Sequence, residues 1–208
     1  MAERDARYPV PAAELRHEIE ILRSRFLATL APAATVDDAK AHVARLTEEF
    51  SGATHNCWAY LVGPPGSTAQ VGMSDDGEPH GTAGKPMLNA LIHSGLGDVS
   101  VVVTRWYGGT KLGKGGLVRA YGGAVVEALE RVSRVDKISW QHAEVVLAYG
   151  DVEGLERMYP GHEAEVLDTI YSDRVTHQLR LPASGWDAFV AAVLDATSGR
   201  AEPQRTKG

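Results

Sequence analysis

Residues 105–125, RWYGGTKLGKGGLVRAYGGAV, hold seven glycines and four cations, Arg105, Lys111, Lys114 and Arg119, without a carboxylate. Glycines let successive backbone N–H groups converge, a following helix adds partial positive charge at its N-terminus, and lysines add point charges; together these make an anion cradle. Two nucleotide signatures nearly fit. Gly108, four residues, then Gly113-Lys114 satisfies a P-loop up to its last position, where Gly115 replaces the hydroxyl that would bind magnesium. Gly113 and Gly115 open the dinucleotide signature, but Val118 stands at its third glycine. What survives is docking of a phosphate, whether free, nucleotide or RNA backbone, or docking of a partner. The plainer alternative is a tight strand-to-helix connection with solvated lysines.

A second stretch, SDDGEP, brings Asp75, Asp76 and Glu78 into one loop. Paired carboxylates can hold a hard cation or divide general acid and base work. Their spacing does not fit a calcium loop, so turn-forming acids that balance the cationic loop, a metal or a partner contact all stay open. Nucleophilic chemistry has thin support. Cys57 shares a strand face with His55, yet that spacing does not set the pair for proton transfer. Ser74 has acids beside it and no base, and the eight histidines, His80 among them, show no zinc spacing. No catalytic residue, metal site or cofactor is expected.

The elements that would position these groups follow from periodicity. Residues 18–32 read as one or two strands ended by Pro32, and Thr35 opens a helix with Val36, Ala39, Val43, Leu46 and Phe50 at helical spacing. Residues 56–63 read as a strand, 74–81 as a turn-rich loop, and a short helix follows with Pro86 in its first turn and Gly95 at its end. Residues 98–109 read as a strand buried on both faces, because β-branched residues are apolar at consecutive positions. Residues 115–133 then form an amphipathic helix. Gly122-Gly123 inside it costs about 1 kcal/mol per glycine, which close packing on the sheet would offset. From residue 139 the order becomes strand, short helix capped by Asp151, two strands, and a helix with Trp186, Phe189, Val190, Val193 and Leu194 on one face. This suggests a ferredoxin-like domain, although the tail GRAEPQRTKG is too polar to read as its last strand.

Composition bounds the rest. The net charge of −6 argues against coating duplex nucleic acid by bulk charge, so any polyanion site is local. Through residue 138, 15 cations against 16 acids leave −1; beyond it, 6 against 11 leave −5. The first domain is the better polyanion candidate. One cysteine excludes an intramolecular disulfide and fits a reducing compartment. A charged start without an export signal, and no apolar run near the roughly 20 residues of a membrane span, predict a soluble cytoplasmic protein with no membrane partner.

Four ordered stretches, RSRFLA (23–28), ATHNCWAY (53–60), SDDGEPHGTAGKPML (74–88) and VVVTRWYGGTKLGKGGLVRAYGGAV (101–125), together resemble the IMPACT family in its bacterial, YigZ-type two-domain branch. The resemblance implies an α+β protein. Residues 1–138 would be like the second domain of a small-subunit ribosomal protein, as in elongation factor G domain IV. Residues 139–208 would be ferredoxin-like, as in domain V of that factor. The eukaryotic relative is a translational regulator that restrains an amino-acid-starvation kinase by competing for its activator; the eukaryotic members carry a different N-terminal module, in place of which this chain is expected to have the acidic second domain. Carried over is a shared surface: Asp75, Asp76, Glu78, Thr82 and Lys85 from one motif, and Arg105, Tyr107, Lys111, Lys114 and Arg119 from the other. The expected role is a non-enzymatic regulator of translation or stress response that docks on ribosome or RNA through the basic loop. A protein-interaction module for a non-ribosomal partner, or a phosphate- or nucleotide-binding enzyme, are the alternatives.

Overall fold

A computed structural model describes residues 7–207; residues 1–6, part of the charged start from which the lack of an export signal is read, and Gly208 lie outside that range. The chain divides into one unit over Tyr8–Asp136 and another from Lys137 onward. Elements run β1 (Arg7–Pro11), β2 (Leu15–Ile21), β3 (Ser24–Pro32), α1 (Val36–Glu49), β4 (His55–Val62), β5 (Gln70–Ser74), α2 (Gly84–Ile92), β6 (Val99–Trp106), α3 (Gly113–Arg131) and β7 (Arg134–Ile138). They continue with β8 (Trp140–Leu147), α4 (Val152–Met158), β9 (Glu165–Tyr171), β10 (Val175–Pro182), α5 (Trp186–Ala196) and β11 (Gln204–Thr206). The architecture is mixed α+β with antiparallel sheets.

In the first unit a five-stranded sheet has the order β2-β3-β6-β4-β5. The run SVVV makes β6 the middle strand, since only a doubly covered strand gains from apolar side chains on both faces. Val99, Val101 and Val103 meet Leu117, Tyr121 and Val125 of α3 and Met87 and Leu91 of α2 in the main core. From the other face, Ser100 hydrogen-bonds His42 of α1 at 3.0 Å. α1 begins where the sequence says it should: Thr35 accepts from the Asp38 N–H, and Asp38 accepts from the Thr35 N–H, a reciprocal cap. β1 pairs with β7 in a separate two-stranded ribbon, a strand the periodicity did not flag.

The second unit folds in the order β-α-β-β-α-β, with its sheet ordered β11-β8-β10-β9. The doubted last strand exists. Gln204, Arg205 and Thr206 pair antiparallel with Glu144, Ala143 and His142. All three are exposed edge residues, so the strand needs no apolar pattern, and the polar tail hides it. Two further expectations are corrected. Asp151 does not cap α4 with its side chain; its carboxylate accepts instead from the Arg200 guanidinium. Gly122 does not press on the sheet: a β-carbon there would stand 3.6 Å from Pro86 of α2, and one at Gly123 would meet open space.

Candidate functional site

The glycine-rich stretch leaves β6 at Trp106 and enters α3 at Gly113. Its path is forced by what lies beneath. A β-carbon at Gly108 would sit 2.0 Å from the Arg23 carbonyl carbon, so only glycine lets the loop cross the β2–β3 turn. The Gly108 N–H donates to the buried Ser24 hydroxyl at 3.1 Å, and the Tyr107 N–H donates to Thr54 Oγ1 at 3.0 Å. Gly113 has a φ of +70°, which favours glycine where the loop turns into the helix. No side chain caps the N-terminus of α3, since Leu112 occupies the cap position. Its first N–H groups are left for something else.

Beside that helix end lies a cavity of about 430 Å³ lined by both sequence motifs: Glu78 from one, Arg105, Tyr107, Lys111 and Lys114 from the other. Thr54, His55, Pro79, Leu112, Gly113 and Leu117 complete its wall. His55 belongs to the motif ATHNCWAY, and the antiparallel register that sets it opposite Arg105 brings it here. Sequence spacing alone gave no sign of that pairing.

The side chains divide into two kinds. Arg105 and Glu78 are buried, 6% and 8% exposed, and joined in an ion pair, with Tyr121 donating to the same carboxylate oxygen at 2.8 Å. Arg105 is therefore not the free cation the sequence reading made it. Lys111 and Lys114 are exposed and have no carboxylate partner among the described residues. Tyr107 is 46% exposed, with the Arg105 guanidinium 5.6 Å from its ring centre.

Glu78 alone of the acidic loop balances a cation of the basic stretch, and the other two acids bind backbone instead. Asp75 accepts backbone N–H groups of Gly81, Ala83 and Gly84 at 2.8, 3.0 and 2.8 Å, and so caps α2 from outside, where Ala83 cannot. Partial burial pushes the Asp75 carboxyl up, but those three donors outweigh it and hold it below its ordinary range. Asp76 accepts the Asn56 N–H at 2.6 Å. Thr82 is buried and donates to the Pro79 carbonyl at 2.6 Å. Lys85 and Arg119 are exposed but do not line the cavity.

Cys57 is no nucleophile. Burial pushes its thiol up to about 12, and its Sγ donates to the Asp75 carbonyl. Among the described residues no three His, Cys, Asp or Glu side chains are set to hold a metal, and no helix is long and apolar enough to cross a membrane.

Comparison with known proteins covers both units. Residues 22–129 match the family described as the Impact N-terminal domain, and residues 145–200 match a domain of unknown function. An IMPACT family member of Haemophilus influenzae is 38% identical over 94% of this chain and 95% of its own. IMPACT family member YigZ of Escherichia coli is 39% identical over 91% of this chain and 93% of its own. A crystal structure described as that of a hypothetical protein aligns with a TM-score of 0.67 at 37% identity, covering 97% of this chain and 98% of that one. Protein IMPACT of Rattus norvegicus shares only a segment, 39% identical over 44% of this chain and 29% of its own length.

Proposed function

The chain belongs to the IMPACT family, and from that premise we propose that it is a non-enzymatic, cytoplasmic regulator of translation or stress response that docks on ribosome or RNA through the basic glycine-rich loop. The observation that carries this reading is the uncapped start of α3 beside Lys111 and Lys114, two exposed cations without carboxylate partners among the described residues. Backbone N–H groups, helix dipole and point charges then converge on one anion. The likeness to elongation factor G domains IV and V implied by the resemblance, together with the β-α-β-β-α-β order of the second unit, supports a translational setting. The basic loop lies within the family match at 22–129.

Co-sedimentation with ribosomes across a salt series, with and without nuclease, tests the proposal. The native chain pellets at low salt and is released as salt rises, because each phosphate contact frees counterions. Lys111→Glu with Lys114→Glu stays in the supernatant at every salt concentration. Binding that ignores both salt and the double substitution overturns the reading.

A second reading, docking on a protein, is favoured by the exposed Tyr107 beside Arg105, residue types enriched at interface anchors. It separates cleanly, since capture of the same partner would persist after RNA is destroyed.

A further inference from the structure

Resting on the RNA-docking reading, we infer that the cavity takes one nucleoside monophosphate unit: the terminal nucleotide of an RNA chain, with its phosphate at the start of α3 and its base on Tyr107. Size is the first argument. About 430 Å³ falls in the roughly 300–1,000 Å³ range of small-ligand sites, room for one nucleotide but not a stacked run.

Charge is the second. The Arg105 guanidinium is cancelled by Glu78, which leaves Lys111 and Lys114 as whole charges and the helix end as roughly half of one more. An internal phosphodiester brings a single negative charge. A terminal phosphate monoester carries about −1.5 to −2 near neutral pH, which matches two lysines better. Arg105 lines the cavity with a side chain only 7% exposed, and its unpartnered Nε is closed to solvent, so the donors open to a ligand are the two lysines and the helix end.

The third argument is shape. Tyr107 is large, half exposed and held by its backbone bond to Thr54, while Leu112 and Leu117 give the cavity apolar walls. An aromatic face beside a cationic rim is how single bases are held without reading their sequence.

The test measures equilibrium binding of the full chain to one RNA oligonucleotide made with a 5′-phosphate and with a 5′-hydroxyl. 5′-AMP and inorganic phosphate serve as competitors. The phosphorylated RNA is expected to bind about tenfold or more tighter, and Tyr107→Ala to remove about tenfold of affinity, while Tyr107→Phe keeps it. 5′-AMP competes far better than inorganic phosphate. If 5′-AMP alone binds as tightly as the RNA, the source is free nucleotide; if the RNA is tighter, it is a chain end.

Equal binding of the two RNAs, unmoved by Tyr107→Ala but still dependent on salt and the lysines, overturns this inference and leaves docking intact. Loss of docking is seen separately, as no binding of ribosomes or either RNA. In that case Tyr107-dependent binding of 5′-AMP still supports the pocket, and its absence overturns it.

Discussion

Glu78 holds the charge of Arg105 where water barely reaches it. With the partner removed, a guanidinium only 7% exposed has no counter-charge, and breaking such a buried pair costs about 3–5 kcal/mol. Glu78→Ala should therefore lower the urea midpoint steeply, and pairing it with Arg105→Met should recover most of that loss. A single variant with the native midpoint would mean the pair contributes little. His42 makes a prediction about acid. Burial lowers its imidazole to about 4, with Glu14 opposing and Arg45 and Arg16 assisting. The unfolded value is about 6.5, so between these limits the unfolded chain binds more protons, and stability falls as pH drops from about 6.5 to about 4. The share from His42 is about 2–3 kcal/mol. Comparing denaturation of the native chain with His42→Gln at neutral and acid pH isolates it: the variant should lose less on acidification. These residue roles were only half legible. The sequence picks out Glu78 and Arg105 as residues that matter, but their partnership spans 27 positions and Tyr121 lies 43 beyond Glu78, so no local spacing carries it. What spacing offered instead, acids that balance the cationic loop, is true of Arg105 and false of Lys111 and Lys114.

The β2–β3 hairpin turns on two residues, Leu22 and Arg23, with φ of 47° and 64°. Both therefore sit in the left-handed region, as a two-residue primed turn requires, although neither is a residue type that favours it. Holding an ordinary side chain there costs about 1–2 kcal/mol per residue. Leu22→Asn with Arg23→Gly, the preferred sequence for this turn, should raise stability by about 1 kcal/mol, seen as a higher melting temperature; an unchanged or lower one would show that side-chain contacts offset the strain. The same turn underlies the site, because Gly108 packs against the Arg23 backbone. Elements were more readable than partnerships. The start of α1 at Thr35 and the doubly buried β6 follow from local residues, and so both were foreseen. β11 was hidden because an exposed edge strand has no apolar face to display. Asp151 misled for a related reason: a capping residue type says that a hydrogen bond is wanted, not that Arg200, 49 positions on, will not supply it.

Across the whole molecule, charge is divided unevenly. Of the net −6, only −1 falls through residue 138 and −5 beyond it. A polyanion approaching Lys111 and Lys114 thus meets attraction from one part of the chain and repulsion from another. Such fields reach about a Debye length, roughly 10 Å at 0.1 M salt and 30 Å at 0.01 M. The units have separate apolar cores, so a chain ending at residue 138 should fold by itself, which a cooperative urea transition would establish. Freed of the acidic unit, it should bind ribosomes more tightly than the full chain at low salt, and the two should converge as salt screens the repulsion. The lysine contribution should survive in both: Lys111→Met with Lys114→Met flattens the plot of log affinity against log salt by about 0.7–0.9, the share expected of the one phosphate they hold together. If the shortened chain binds more weakly at every salt concentration, the second unit supplies contacts of its own that outweigh its charge. Docking would then have to be assigned to both units rather than to the basic loop alone.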